Sequence, residues 1–98
     1  MLFAVLCTDR PDSLEIRAAA REDHLRYVAS FGNGVVEAGP MLDAEGLPCG
    51  SLLIMDLADH AAAQAFAAND PYAVAGLFGA VVISGYRNVF RNLSLIHI

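Results

Sequence analysis

Ninety-eight residues make one domain, large enough for a core of its own and small enough to gain from self-association. Hydrophobic residues are 56% of the chain and charged ones 17%, a globular composition that excludes a disordered chain and is apolar enough to expect a homodimer. The net charge of −5 sets eleven acidic residues against six scattered arginines and no lysine, so no basic stripe can follow a phosphate backbone and no nucleic-acid partner is expected.

Met1 to Cys7 is apolar but lacks the basic start and small-residue cleavage site of a leader. Leu2 to Cys7 is therefore predicted as a first strand. No later apolar run reaches membrane-spanning length, and a soluble cytoplasmic protein with no membrane partner is expected. Thr8-Asp9-Arg10-Pro11-Asp12 breaks the strand, and Asp12 is placed to cap a helix with Glu15 three residues on, as in a capping box. From Ser13 the spacing of Leu14, Ala18, Arg21, Leu25 and Val28 predicts a helix with one face laid on something apolar. Gly32-Asn33-Gly34 ends it.

Val35 to Gly39 reads as a second strand stopped by Pro40, and Leu42 to Pro48 as a loop. Ser51 to Leu57 is apolar almost throughout, which predicts a central third strand. Asp59 caps a second helix running through Ala68, and Pro71 holds Asp70 out of helical geometry. A turn through Ala73 to Gly76 leads to a last strand, Ala80 to Phe90.

The order βαββαβ predicts an α+β, ferredoxin-like fold: a four-stranded antiparallel sheet with both helices on one face. The first and third strands are expected side by side and parallel, with Cys7 and Cys49 at opposite ends as two unpaired, buried thiols. The open sheet face is apolar, and two copies packing face to face would bury it as a dimeric α+β barrel. Phe3, Phe31, Phe66, Phe78 and Phe90 are core and interface candidates. The domain is taken as residues 1–92. Residues 93–98, Leu-Ser-Leu-Ile-His-Ile, fit neither helix nor turn and match, as codons, the read-through of a sequencing adapter, so they are expected to be a non-native or disordered tail. His97 is set aside for that reason.

The chemistry rests on His24 and Asp70. An imidazole titrates close to neutral pH and can accept and return a proton in one cycle. A carboxylate on its far nitrogen would fix the tautomer and stabilise the charged form. On spacing alone, a backbone-bonded histidine and a turn aspartate are the commoner roles. Arg17 and Arg21 lie one turn apart with His24 a further turn along the same side, and can bind an anion; for Arg17, ion pairing with Glu22 or Asp23 on a solvated face is favoured. Ser51 can donate to a substrate oxygen from its strand end, and Tyr72 can supply an aromatic wall or a phenol. His60 is expected to face solvent without a role. No second histidine or cysteine lies at ligand spacing from His24, so no metal is expected; no organic cofactor is expected either.

These pieces, in order, resemble the YciI-like (YCII-related) family over Met1 to about Phe90. They are Ser13-Leu14-Glu15 with Arg17, Arg21 and His24-Leu25; Ala38-Gly39-Pro40; Gly50-Ser51; Asp70-Pro71-Tyr72 with Ala75-Gly76; and Asn88-Val89-Phe90. The resemblance implies ferredoxin-like protomers paired as a dimeric α+β barrel, with His24 and Asp70 as a general acid/base pair. It also implies small ring compounds as substrates, since one branch acts on chlorinated compounds derived from hydroxyquinol. The expected function is a cofactor-independent enzyme of isomerase, lyase (dehydrochlorinase) or hydrolase type acting on a small cyclic or oxygenated molecule. His24 and Asp70 would be catalytic, and Ser51, Arg21 and Tyr72 would bind substrate. A non-catalytic dimeric module binding a small molecule or a protein is the competing expectation; it predicts that His24 and Asp70 point apart or face no cavity.

Overall fold

A computed structural model describes residues 1–91 together with Ser94 and Leu95. Strand β1 (Leu2–Asp9) leads to helix α1 (Leu14–Ala29), a short 3-10 turn at Gly32–Gly34, and the hairpin of β2 (Val35–Leu42) and β3 (Pro48–Asp56). Helices α2 (His60–Asn69) and α3 (Pro71–Val74) then precede β4 (Phe78–Tyr86). The four strands form one antiparallel sheet in the order β2-β3-β1-β4, the ferredoxin-like arrangement. Two short strands, β5 (Phe90–Arg91) and β6 (Ser94–Leu95), pair separately. Of the expected tail 93–98 only those two residues of β6 are described; Leu93, Ile96, His97 and Ile98 lie outside the described residues, as does Asn92 at the expected domain boundary.

The expected parallel pairing of the first and third strands is corrected: β1 and β3 run antiparallel. One helical crossover returns the chain in the direction of β1, and the β2–β3 hairpin then reverses it. Cys7 therefore lies directly opposite Ser51, and Cys49 sits at the same end of the sheet, not the far one. Both thiols are free, but Cys7 is buried and Cys49 exposed. Burial, followed by the Asp70 and Asp9 carboxylates, pushes the Cys7 thiol up to about 12 against the pull of Arg17. Alkylation of the folded protein at pH 8 should therefore modify one cysteine, Cys49, with the second appearing only in denaturant. Two equally fast modifications by mass spectrometry would contradict this packing.

Alternation along the strands decides which residues meet the helices. Phe3, Val5 and Cys7 pair with Met55, Leu53 and Ser51, and all six are buried under the helical layer. Val28 of α1 and Phe66 and Ala67 of α2 close that core. Tyr27, Phe31 and Phe66 form an aromatic cluster with centroids 4.9–5.6 Å apart, and the Tyr27 hydroxyl donates to the Phe66 carbonyl at 2.8 Å. Burying a side chain such as Phe66 stabilises the fold by about 1.5–3 kcal/mol. Phe90, by contrast, is exposed.

Local chemistry explains several boundaries. Helix α1 starts at Leu14 after Ser13, not on an Asp12 cap: Asp12 sits at φ +56°, and the Ser13 hydroxyl donates back to the Arg10 carbonyl. Strand β2 runs through Pro40 because it is a sheet edge, where a missing N–H breaks no ladder bond. In the hairpin loop Asp43 Oδ1 accepts from the Glu45 and Leu47 amides at 2.9 and 3.0 Å, and Gly46 takes φ +82°. Asp59 caps α2 through the Ala62 amide at 2.8 Å, as the sequence predicts. Among the described residues, no helix is long and apolar enough to cross a membrane.

Candidate active site

The site grows from the buried side of α1. The stripe Leu14, Ala18, Arg21, Leu25 and Val28 faces one largely apolar cavity, but only Val28 of it is buried: Leu14 and Leu25 are 48% and 46% exposed, while Arg17 and His24 beside the stripe are buried. Residues seven apart on a helix lie two turns apart on one side, so Arg17 and His24 point the same way. Each finds a carboxylate there.

Asp70 is held for His24 by its own turn. Pro71 keeps it at ψ 130°, which ends α2, and its Oδ1 accepts from the Tyr72 amide at 2.9 Å, which starts α3. The carboxylate, 1% exposed, meets His24 Nδ1 at 2.8 and 3.0 Å through its two oxygens. A carboxylate only accepts, so Nδ1 is the nitrogen that carries hydrogen, and in the neutral ring Nε2 offers a lone pair. Nε2 bonds nothing among the described residues, and none of their buried side-chain nitrogens or oxygens lacks a partner. It is therefore open to the cavity that His24 lines. The Tyr72 ring stacks on the imidazole with centroids 3.9 Å apart and planes 16° off parallel, which fixes the ring's tilt.

Arg17 corrects the expectation of a solvated ion pair with Glu22 or Asp23. Those two carboxylates flank Arg26 instead. Buried Arg17 forks onto Asp9 at 2.8 and 3.0 Å and donates through Nη2 to the Gly50 carbonyl at 2.8 Å and Ser51 Oγ at 2.9 Å. Its guanidinium carbon also lies 4.7 Å from the Tyr72 ring centroid, so Tyr72 touches both the imidazole and the cation. Burial opposes the charge on Arg17, but the bond to Asp9 and its attraction outweigh that and raise the pKa further. Burial likewise pushes the Tyr72 phenol up, with Arg17 and Arg21 pulling it back in part, so it stays a neutral donor.

Gly50 lets β3 lie close against β1 beneath this network: a Cβ there would sit 2.5 Å from the Cys7 carbonyl oxygen.

Between α1 and the β2–β3 side of the sheet lies a cavity of about 510 Å³. Leu14 and Leu25 face it from the helix, and Ala38, Pro40 and Leu53 from the strands. Of the residues singled out in the sequence, His24, Ser51 and Tyr72 line it while buried, Arg21 lines it while exposed, and Asp70 stands behind His24. His60 is exposed, edge-on to Phe3 with centroids 6.1 Å apart, and lies outside the cavity's lining. Sequence reasoning missed the Arg17–Asp9 pair. The seven-residue step from Arg17 to His24 could have flagged the arginine; nothing local marks Asp9. No three of His, Cys, Asp and Glu gather at metal-binding spacing among the described residues.

The YCII-related domain matches residues 1–87. The chain belongs to that family. This YCII-related chain is 34% identical over 98 residues to protein YciI of Escherichia coli O6:H1, and 33% identical over 98 residues to an uncharacterised protein of Haemophilus influenzae. Both matches cover 92% of the chain and all of the relative. Among solved structures it is similar to 5-chloro-2-hydroxyhydroquinone dehydrochlorinase (TftG) of Burkholderia phenoliruptrix AC1100 in complex with 2,5-dihydroxybenzoquinone. The TM-score is 0.84 at 33% identity, over 89% of this chain and 94% of that one. An antibiotic biosynthesis monooxygenase shares the fold alone, with TM-score 0.54 at 13% identity over 90% of this chain and all of the other.

Proposed function

We propose that this YCII-related protein is a small enzyme that moves protons on a small cyclic or oxygenated substrate without a metal or organic cofactor. The observation that carries the reading is the Asp70–His24 pair: a buried carboxylate on Nδ1 with Nε2 open to a cavity. Nε2 takes a proton from a substrate O–H or C–H, and Asp70 stabilises the resulting imidazolium in place. The proton then returns to another substrate atom in an isomerisation. In an elimination a leaving group departs as its anion, and the proton passes to water. Ser51, Arg21 and Tyr72 position the substrate.

Likeness to a dehydrochlorinase at 33% identity favours the elimination branch. Release of chloride from 5-chloro-2-hydroxyhydroquinone, followed in the wild type and in His24→Ala, tests it. Unchanged turnover in a folded His24→Ala variant would reject the scheme and favour a binding module.

A homodimer through the open sheet face belongs to the same reading. Leu52, Leu6 and Val82 stand in one row across β3, β1 and β4 on the side away from the helices, with Leu6 39% and Val82 56% exposed. Light scattering should give twice the chain mass for the wild type and a single chain mass for Leu6→Glu. A wild-type monomer would refute the pairing.

A further inference from the structure

We infer that the cavity is built for a singly charged anion with an apolar body, its negative oxygen seated on the Ser51 hydroxyl and its charge balanced by Arg21. The inference rests on the acid/base reading for the cavity's purpose, but hydrogen-bond accounting carries it. Ser51 Oγ accepts from Arg17, a group that can only donate, so the one hydroxyl hydrogen must go elsewhere. No acceptor among the described residues takes it, and Ser51 lines the cavity. On Arg17, Nε and Nη2 serve Asp9, Gly50 and Ser51, and the guanidinium also hydrogen-bonds with the Tyr72 side chain, so its donors are taken up within the protein. One donor, the Ser51 hydroxyl held against the Arg17 guanidinium, thus lies on the cavity wall and lacks an oxygen to bind.

Charge points the same way. The chain carries eleven acidic residues and six arginines, yet the lining holds Arg17, Arg21 and His24 and no carboxylate among the described residues. Arg17 is neutralised by Asp9, and His24 is backed by Asp70. Arg21 has no ion-pair partner among the described residues, which leaves one positive charge at the rim for one negative charge on the ligand. Ser51 is bonded to Arg17, and Tyr72 touches both Arg17 and His24, so the hydroxyl and Nε2 border the same ligand position. The remaining wall is aliphatic, which suits a ring.

A carboxylate and an ionised enol or phenol share this chemistry. Calorimetric titration of the wild type with benzoate, uncharged benzamide and 2-hydroxy-1,4-benzoquinone, whose single enol ionises to a monoanion, separates the sources. The tighter of the two anions should bind at least about tenfold better than benzamide, the usual worth of a charge-assisted bond. Tighter benzoate identifies a carboxylate ligand, and tighter quinone an enolate. Ser51→Ala keeps the fold, because Arg17 retains Asp9 and Gly50, and Arg21→Gln changes an exposed residue. Each should cut the preference about tenfold. His24→Ala should keep a preference for the anion even where turnover is lost, so failure of the base and failure of the anion seat are read separately. No preference in the wild type, or a preference that either Ser51→Ala or Arg21→Gln leaves intact, overturns the inference.

Discussion

Replacing His24 with alanine should slow turnover of an oxygenated ring substrate about 10²- to 10⁴-fold, the range a positioned general base supplies. The fold should survive, because the carboxylate left behind keeps its bond from the Tyr72 amide and gains access to the cavity's water. Asp70→Asn is the sharper variant. An amide can turn its NH₂ toward Nδ1, which moves the ring hydrogen to Nε2 and removes the lone pair that faces the cavity. Turnover should fall at least as far as about 100-fold while KM changes little, since Asp70 touches the ring and not the substrate. Retention of wild-type kcat in folded Asp70→Asn would show that the pair is architectural only.

Asp9→Ala carries the largest expected effect on stability. The Asp9 and Arg17 side chains are both nearly fully buried, so removing the carboxylate strands a guanidinium inside the protein. Breaking such a pair costs about 3–5 kcal/mol, a large share of the roughly 5–15 kcal/mol that holds a domain of this kind together. The thermal midpoint should drop by more than about 10 °C. Asp23→Ala, which breaks an exposed pair with Arg26, should shift it by no more than a few degrees. Arg17→Met with Asp9→Leu should recover most of the loss, because matched apolar side chains replace a buried ion pair at little cost. A midpoint for Asp9→Ala close to that of Asp23→Ala would mean that the pair is open to water in solution.

Interactions between near neighbours can be read along the chain, and those between distant residues cannot. Asp59 and Asp70 were legible because capping and the residue before a proline act within a few positions, where spacing carries the information. The central place of β3 was legible from its unbroken apolar run. The buried side of α1 was legible only at Val28. Hydrophobic spacing selects Leu14 and Leu25, but burial there follows Arg17 and His24, whose partners come from 8 and 46 residues away. A buried charge reads as a surface residue until its counter-charge is known. The same limit applies to Ser51, which sequence marks as a lone donor and the fold turns into one end of a network anchored on Asp9. The end of β2 was misjudged for a different reason: proline stops a central strand, and only the sheet order reveals that this one is an edge.

In Asp70, punctuation and chemistry are vested in one residue. The carboxylate that launches the four-residue α3 is the same one that aims the imidazole, so each breathing of that turn disarms the base for as long as it lasts. Warming or mild denaturant would then erode turnover while the sheet is still whole, and loss of activity would report the turn before it reported unfolding.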